Sequence, residues 1–213
     1  MDLPSSLGVV IPCHKPYIPF LRDCLDSIEF QTVKPDRVIV VCSSSNPEDI
    51  PDEYLQYSFE CVIRTREGDY NQAQNRNEGI RHIDTDYVTF FDADDVMHPQ
   101  RIELIRKYMN DTDLILHSYR TDMPLFRCIR NPVVYQNELM RGPTGCAVFK
   151  PNWDAPLHHA QVTVRKEIFD RVMFREDECF KRREDSLLCG DILNMGVRNT
   201  YIAEPLSWYR LIH

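Results

Sequence analysis

The sequence predicts an α/β fold: a Rossmann-like, mostly parallel central sheet flanked by helices. Three observations carry this. Short apolar, β-branched runs alternate with segments whose apolar residues recur at helical spacing, at the interval of βαβ units. Leu7 to Ile11 and Val38 to Cys42 are uninterrupted apolar runs, as buried strands are. Polar clusters stand directly after the runs ending at Ile11, Val41 and Phe91, where open parallel sheets bind ligands.

Element by element, Leu7 to Ile11 is a strand closed by Pro12. Phe20, Leu21, Cys24, Leu25 and Ile28 share one face of a helix that ends before Lys34-Pro35-Asp36. Val38 to Cys42 is the next strand, followed by the turn-rich "SSSNPEDIPD", and Cys61 to Arg64 is a weaker third. Ala73 to Ile83 reads as a helix and Tyr87 to Phe91 as a strand. Pro99 suits the first turn of a helix through about Met109, and Leu114 to His117 is one more short strand. Prolines 124, 132, 143, 151 and 156 predict loops and short antiparallel strands between Tyr119 and His159. Helices return at Lys166 to Val172 and Asp185 to Met195, and a strand at Thr200 to Ala203. With no repeat or linker, one domain over 1–213 is the simplest organisation.

Composition narrows the function classes. The chain has 213 residues, 43% of them hydrophobic and 27% charged, as ordinary globular proteins do. Net charge is −8, and the one basic run, Lys181-Arg182-Arg183, is followed at once by Glu184 and Asp185, which argues against a nucleic-acid partner. The eight cysteines contain no C-x-x-C pair, so they read as reduced thiols rather than disulfides or a zinc site. No leader-like start and no apolar run long enough to span a membrane is present; the expectation is a soluble, cytoplasmic protein.

The stretch "VTFFDADDVMHP" places Asp92, Asp94 and Asp95 at the end of an apolar run. Clustered carboxylates disfavour one another's ionisation, so a positive partner is expected. In an extended segment Asp92 and Asp94 point the same way, and hard oxygen ligands suit Mg²⁺ or Mn²⁺. The plainer reading is a solvated acidic turn with Asp95 capping the next helix.

The wider pattern resembles the GT-A glycosyltransferases, especially those of family 2 type. It rests on "VVIPCHK", Asn75-Arg76-Asn77-Glu78-Gly79, "FFDADDVMHP", Glu184-Asp185-Ser186-Leu187-Leu188 and the closing "PLSWYRLIH", in the family's order. The resemblance implies a GT-A fold with a nucleotide-binding half to about residue 118 and an acceptor-binding half beyond. It implies transfer of a hexose-type sugar from a UDP-sugar to a hydroxyl of a glycan or glycoprotein, with Mn²⁺ or Mg²⁺. Asp94 would hold the cation, Asp92 would bind it or the ribose side, and His213 would be a third metal ligand. Ala93 lies between the two, and Arg76 would face the nucleotide or diphosphate, or else form a structural ion pair. Pro12, Cys13 and His14 would lie beside base and ribose. Asp185 is the candidate general base, with Glu184 as its alternative or an acceptor contact. His158 and His159 lie where an acceptor would bind. Trp153 and Trp208 are candidates for sugar stacking, with the core the expected place for Trp208.

Two positions depart from the family: the second strand ends in Ser43-Ser44-Ser45 instead of acidic residues, and Asn75 replaces an alanine. Ser43 and Ser44 can still hydrogen-bond a base edge. The chain is expected to be part of a longer protein, bacterial or from a large DNA virus acting in host cytoplasm. The rival readings are a sugar nucleotidyltransferase, against which "PCHKPYIPF" lacks glycine, and a non-catalytic nucleotide- or sugar-binding module.

Overall fold

The computed structural model describes residues 5–122, 125–156, 162–180 and 183–211, with the backbone alone at 152–156. In chain order the strands and helices begin with β1 (Leu7–His14), α1 (Ile18–Glu29), β2 (Arg37–Ser43), β3 (Cys61–Arg66) and α2 (Gln72–His82). There follow β4 (Tyr87–Phe90), β5 (Val96–Met97), α3 (Arg101–Met109) and β6 (Leu114–Arg120). Four short strands come next: β7 (Val134–Gln136), β8 (Leu139–Arg141), β9 (Ala147–Phe149) and β10 (Asn152–Pro156). The chain closes with β11 (Thr163–Arg165), α4 (Glu184–Leu193) and β12 (Asn199–Trp208).

The main sheet runs β3-β2-β1-β4-β11-β6-β12-β5, with β7 also on β12; β8, β9 and β10 form a separate antiparallel sheet. Strands β1, β2, β3 and β4 are mutually parallel, as are β6 and β12, while β11 lies antiparallel between β4 and β6. The chain moves outward from β1 to β2 and β3, then returns to β4 on the other side of β1. That reversal opens a crevice at the carboxyl ends of β1 and β4, where such sheets take ligands.

Side-chain alternation explains why β1 is apolar throughout. Val9, Ile11 and Cys13 pack with Leu21 and Leu25 of α1 and Ile102 and Ile105 of α3. Val10 faces the other way, onto Ala73 and Ile80 of α2 and Leu188 and Ile192 of α4. Both faces are covered, so no position favours a polar residue. Contact on the α2 side is close: a Cβ on Gly79 would sit 2.4 Å from Val10 Cγ1, which only glycine avoids.

Several elements differ from the sequence expectation for identifiable reasons. Strand β1 continues through Pro12, which pairs with Val41, as far as His14. The β4 ladder has ended at Val10, so the missing proline N–H faces an already open edge. Helix α3 starts at Arg101, not Pro99, because Arg101 N bonds His98 O in a preceding turn (2.9 Å) and Gln100 is the N-cap. Lys166 to Asp170 forms only a 3-10 turn, closed by Arg171 N to Ile168 O (3.0 Å). Strand β12 extends well past Ala203, with register shifts on either side of Pro205 that absorb its missing donor. Trp208, expected in the core, is half-exposed at the end of β12, its Nε1 donating to Thr121 O (3.4 Å).

All eight cysteines are free thiols. Among the described residues no helix is long and apolar enough to cross a membrane. His158, His159 and His213, and the side chain of Trp153, lie outside the described residues.

Candidate active site

Helix α2 is the organiser of the crevice. Asn71 caps it reciprocally with Gln74: Gln74 N donates to Asn71 Oδ1 (3.0 Å) and Asn71 N to Gln74 Oε1 (2.9 Å). The helix then turns Asn75, Arg76 and Asn77 inward, all buried. Each ties down a different segment. Asn75 Nδ2 donates to Cys13 O (3.0 Å) and Ser43 Oγ (2.9 Å), holding the ends of β1 and β2 together. Asn77 Nδ2 donates to Phe174 O (2.9 Å), and Phe174 N donates back to Asn77 Oδ1 (3.0 Å).

Arg76 is 1% exposed and joins two carboxylates, Nη2 to Asp92 Oδ1 and Nη1 to Glu184 Oε1, both at 2.8 Å. Burial alone would lower its pKa, but Asp92, Glu184 and Asp185 outweigh burial and hold it above the ordinary arginine value. Arg76 Nε and Glu184 Oε2 are buried with no partner among the described residues. Arg76 therefore sits behind the crevice wall rather than in its lining.

Strand β4 ends at Phe90, so Asp92 to Asp95 form a turn, closed by Asp95 N to Asp92 O (3.2 Å), and not an extended segment. The three carboxylates part company. Asp92 is 8% exposed and bound to Arg76. Asp94 is half-exposed and has no side-chain partner among the described residues. Asp95 is buried and accepts from Arg210 N (3.0 Å) instead of capping α3. Burial raises Asp92 against the pull of Arg76, and burial with the Asp92 charge raises Asp94.

Two further arginines act here, Arg101 on the end of β4 that leads into the turn and Arg210 on the turn itself. Arg101, fully buried, donates from Nη2 to Thr89 Oγ1 (2.9 Å) and Phe90 O (3.1 Å) and from Nε to His117 Nε2 (3.0 Å). His117 must then be the neutral Nδ1–H form, with Nδ1 2.8 Å from Ser118 O. Desolvation pulls Arg101 down to about 9, still charged at neutral pH. Arg210 donates from its guanidinium to Asp94 O and to Asp23 of α1.

The crevice encloses about 650 Å³, within the range of small-molecule sites. Pro12, Cys13, His14, Asp92, Ala93 and Asp94 all line it. Ser43 lies behind this wall, fully buried, donating to Tyr70 O (3.1 Å). Ser44 adopts φ 53°, and its Oγ reaches His14 Nε2 (3.0 Å), which also lies 3.2 Å from Asp69 Oδ1. Glu184 and Asp185 open α4; Glu184 is buried on Arg76, while Asp185 is half-exposed. Desolvation raises Glu184 despite Arg76.

The sequence reading missed part of this lining. Asp69, Tyr70 and Asn71 join it from the loop before α2, and Tyr17 and Glu178 from elsewhere. Tyr70 carries the Arg66 guanidinium 3.4 Å from its ring centroid, a stack that no spacing rule announces. Among the described residues no group of three or more His, Cys, Asp or Glu side chains is gathered as a metal centre. Asp92 and Asp94 offer the hard oxygen donors that a divalent cation takes, one or two carboxylates with water and phosphate oxygens completing its shell.

Comparison with known proteins adds an independent line. The family model described as Glycosyl transferase family 2 matches residues 8–172. The amylovoran biosynthesis glycosyltransferase AmsB of Erwinia amylovora is 26% identical over 97% of this chain and 70% of its own length. A glycosyltransferase of Methanocaldococcus jannaschii is 30% identical over 54% of this chain, which spans 41% of that relative. Among solved structures, S. aureus TarS residues 1–349 in complex with UDP superposes with a TM-score of 0.73 at 14% identity. That match covers 97% of this chain and 60% of the TarS chain. The same fragment in complex with UDP-GlcNAc also reaches 0.73, at 12% identity over 98% and 59% of the two chains. At such identities the likeness speaks for the fold, which is GT-A.

Proposed function

The chain belongs to glycosyl transferase family 2, and on that premise we propose that it moves a hexose-type sugar from a UDP-sugar to an acceptor hydroxyl of a glycan or glycoprotein. The observation that carries this is the placing of Asp92 and Asp94 on the rim of a 650 Å³ crevice, with Arg76 bridging Asp92 to the head of α4. UDP as the carrier is supported by the TarS complexes, which hold UDP and UDP-GlcNAc in the same fold.

In this reading the end of β1, backed by Ser43 of β2, and the Tyr70 loop bind the nucleoside. Asp94, with the Asp92 oxygen not engaged by Arg76, would hold Mn²⁺ or Mg²⁺; His213 remains the proposed third ligand. When bound, the cation supplies positive charge against the departing diphosphate. The acceptor oxygen attacks the anomeric carbon, the bond from that carbon to the diphosphate oxygen breaks, and UDP leaves with the electron pair. Asp185 takes the hydroxyl proton, a role its half-exposed carboxylate permits and buried Glu184 does not. Glu184 instead fixes Arg76.

Calorimetric titration of UDP, GDP and CMP, with and without Mn²⁺, tests the donor site. Metal-enhanced binding of UDP above the others is expected. Binding of none of the three would overturn the reading, and UDP binding without sugar release from any UDP-sugar would make the chain a binding module.

A further inference from the structure

The charge at the acidic turn is met from a direction the motif does not disclose. Strand β12 runs antiparallel to β5, the residues directly after the turn, pairing Ser207 with Met97 and Trp208 with Val96. His98 N adds a bond to Leu206 O (3.0 Å). This ladder delivers Arg210 to the turn itself. Its main-chain N donates to Asp95 Oδ1 (3.0 Å), its Nε to the carbonyl of Asp94, its Nη1 to Asp23 and its Nη2 to Phe20 O (3.5 Å). The guanidinium also lies 5.8 Å from the Phe20 ring centroid and 5.9 Å from that of Trp208.

Each contact constrains something different. The Asp95 bond anchors one end of the turn, and the Nε bond takes the backbone carbonyl of the residue whose carboxylate lines the crevice. The Asp23 and Phe20 bonds fasten the guanidinium to α1. An Asp94 peptide gripped in this way cannot rotate freely, so its carboxylate is presented to the crevice from a fixed backbone. Among the described residues no other side chain bonds the Asp94 carboxylate while its main chain is clamped, which is the arrangement a ligand-holding carboxylate needs.

We infer that Arg210 is a positioning residue for the donor site, holding the Asp94 main chain so that its carboxylate meets the cation and diphosphate. The inference rests on the donor-site reading above. It makes the last strand of the chain, rather than the nucleotide-binding half alone, responsible for metal-assisted nucleotide binding.

The test compares wild type with Arg210→Gln in two measurements. In UDP titrations, the enhancement by Mn²⁺ is expected to fall at least about tenfold, with metal-free UDP affinity kept within about twofold. General loosening of the crevice would lower both affinities together, so selective loss marks positioning. In ligand-free protein, amide exchange over residues 91–97 is expected to quicken. An unchanged Mn²⁺ enhancement overturns the inference. If wild type binds no nucleotide, the donor-site reading fails on its own and exchange decides: quickened exchange supports the clamp, unchanged exchange overturns it. Should Arg210→Gln not fold, Arg210→Lys and Asp23→Asn replace it. Each keeps part of the grip and is expected to show partial selective loss, and wild-type enhancement in both overturns the inference.

Discussion

At Arg76 one guanidinium serves two carboxylates, and all three groups are largely withdrawn from water. Removing it leaves Asp92 and Glu184 buried and unpaired, which costs about 3–5 kcal/mol. Arg76→Ala should therefore lower unfolding free energy by that order in urea titration, and Arg76→Met with Glu184→Met should recover part of it. If Arg76→Ala were as stable as wild type, the bridge would not be holding the site together. Asp94 behaves oppositely because it is half-exposed and its carboxylate has no side-chain partner among the described residues. Asp94→Asn should raise metal-free thermal stability slightly, since burial and the Asp92 charge disfavour the ionised form it replaces, while abolishing the Mn²⁺-dependent part of UDP affinity; retention of that part would remove Asp94 from the cation site. Asp185→Asn should keep UDP affinity and slow transfer at least about a hundredfold, the usual weight of a general base. Transfer at the wild-type rate would leave the base unassigned.

At the scale of elements, α2 sets the depth of the crevice because Gly79 lets it lie against Val10 of β1. Gly79→Ala puts a carbon 2.4 Å from Val10 Cγ1, so the helix must move away. Overpacking of this kind costs about 1–3 kcal/mol. Because Arg76 rides on the same helix, UDP affinity should fall along with stability. Loss of stability at full affinity would separate the packing from the site. Elements of this kind are readable where one cue dominates: the apolar runs locate β1, β2, β4 and β6, and helical spacing of apolar residues locates α1. What escaped depends on partners distant in sequence. Pro12 looks like a strand end until β4 is seen to stop at Val10, and β12 looks short until its bulges at Pro205 are seen. The aspartates at the crevice are legible as a motif, whereas Arg76 reads equally as a ligand contact or a structural ion pair, and only its burial against Asp92 and Glu184 favours the second. Arg210 enters the sequence reading only as part of the closing "PLSWYRLIH", with no role attached, and Arg101 does not enter it, since nothing local distinguishes an arginine aimed at a strand end or a turn from one in solvent.

For the whole molecule, the acidic turn brings together charge that the fold neutralises only in part. Burial raises Asp92, Asp94 and Glu184 above ordinary carboxylate values. A carboxyl raised in the folded state binds protons more tightly there than in the unfolded chain. Its contribution to stability is present at low pH and lost as pH rises through the raised folded value. Asp113 runs the other way: Arg198 and Arg165 overcome its burial and hold it below the ordinary value, so its contribution is lost as pH falls. At neutral pH these carboxylates thus oppose folding, and in the proposed donor site a divalent cation would relieve Asp92 and Asp94 in place of protons. Mn²⁺ should stabilise the protein by about 2.7 kcal/mol at a hundredfold excess over its dissociation constant. For a chain of this size that is a rise of about 5–10 °C in Tm. Because protons compete for Asp92 and Asp94, the rise should shrink as pH falls from neutral through their raised folded values, and it should be missing in Asp94→Asn. A scanning-calorimetry series across that range decides the matter. A rise independent of pH, or one that survives in Asp94→Asn, would mean that Mn²⁺ binds elsewhere and that the arginines alone balance the turn.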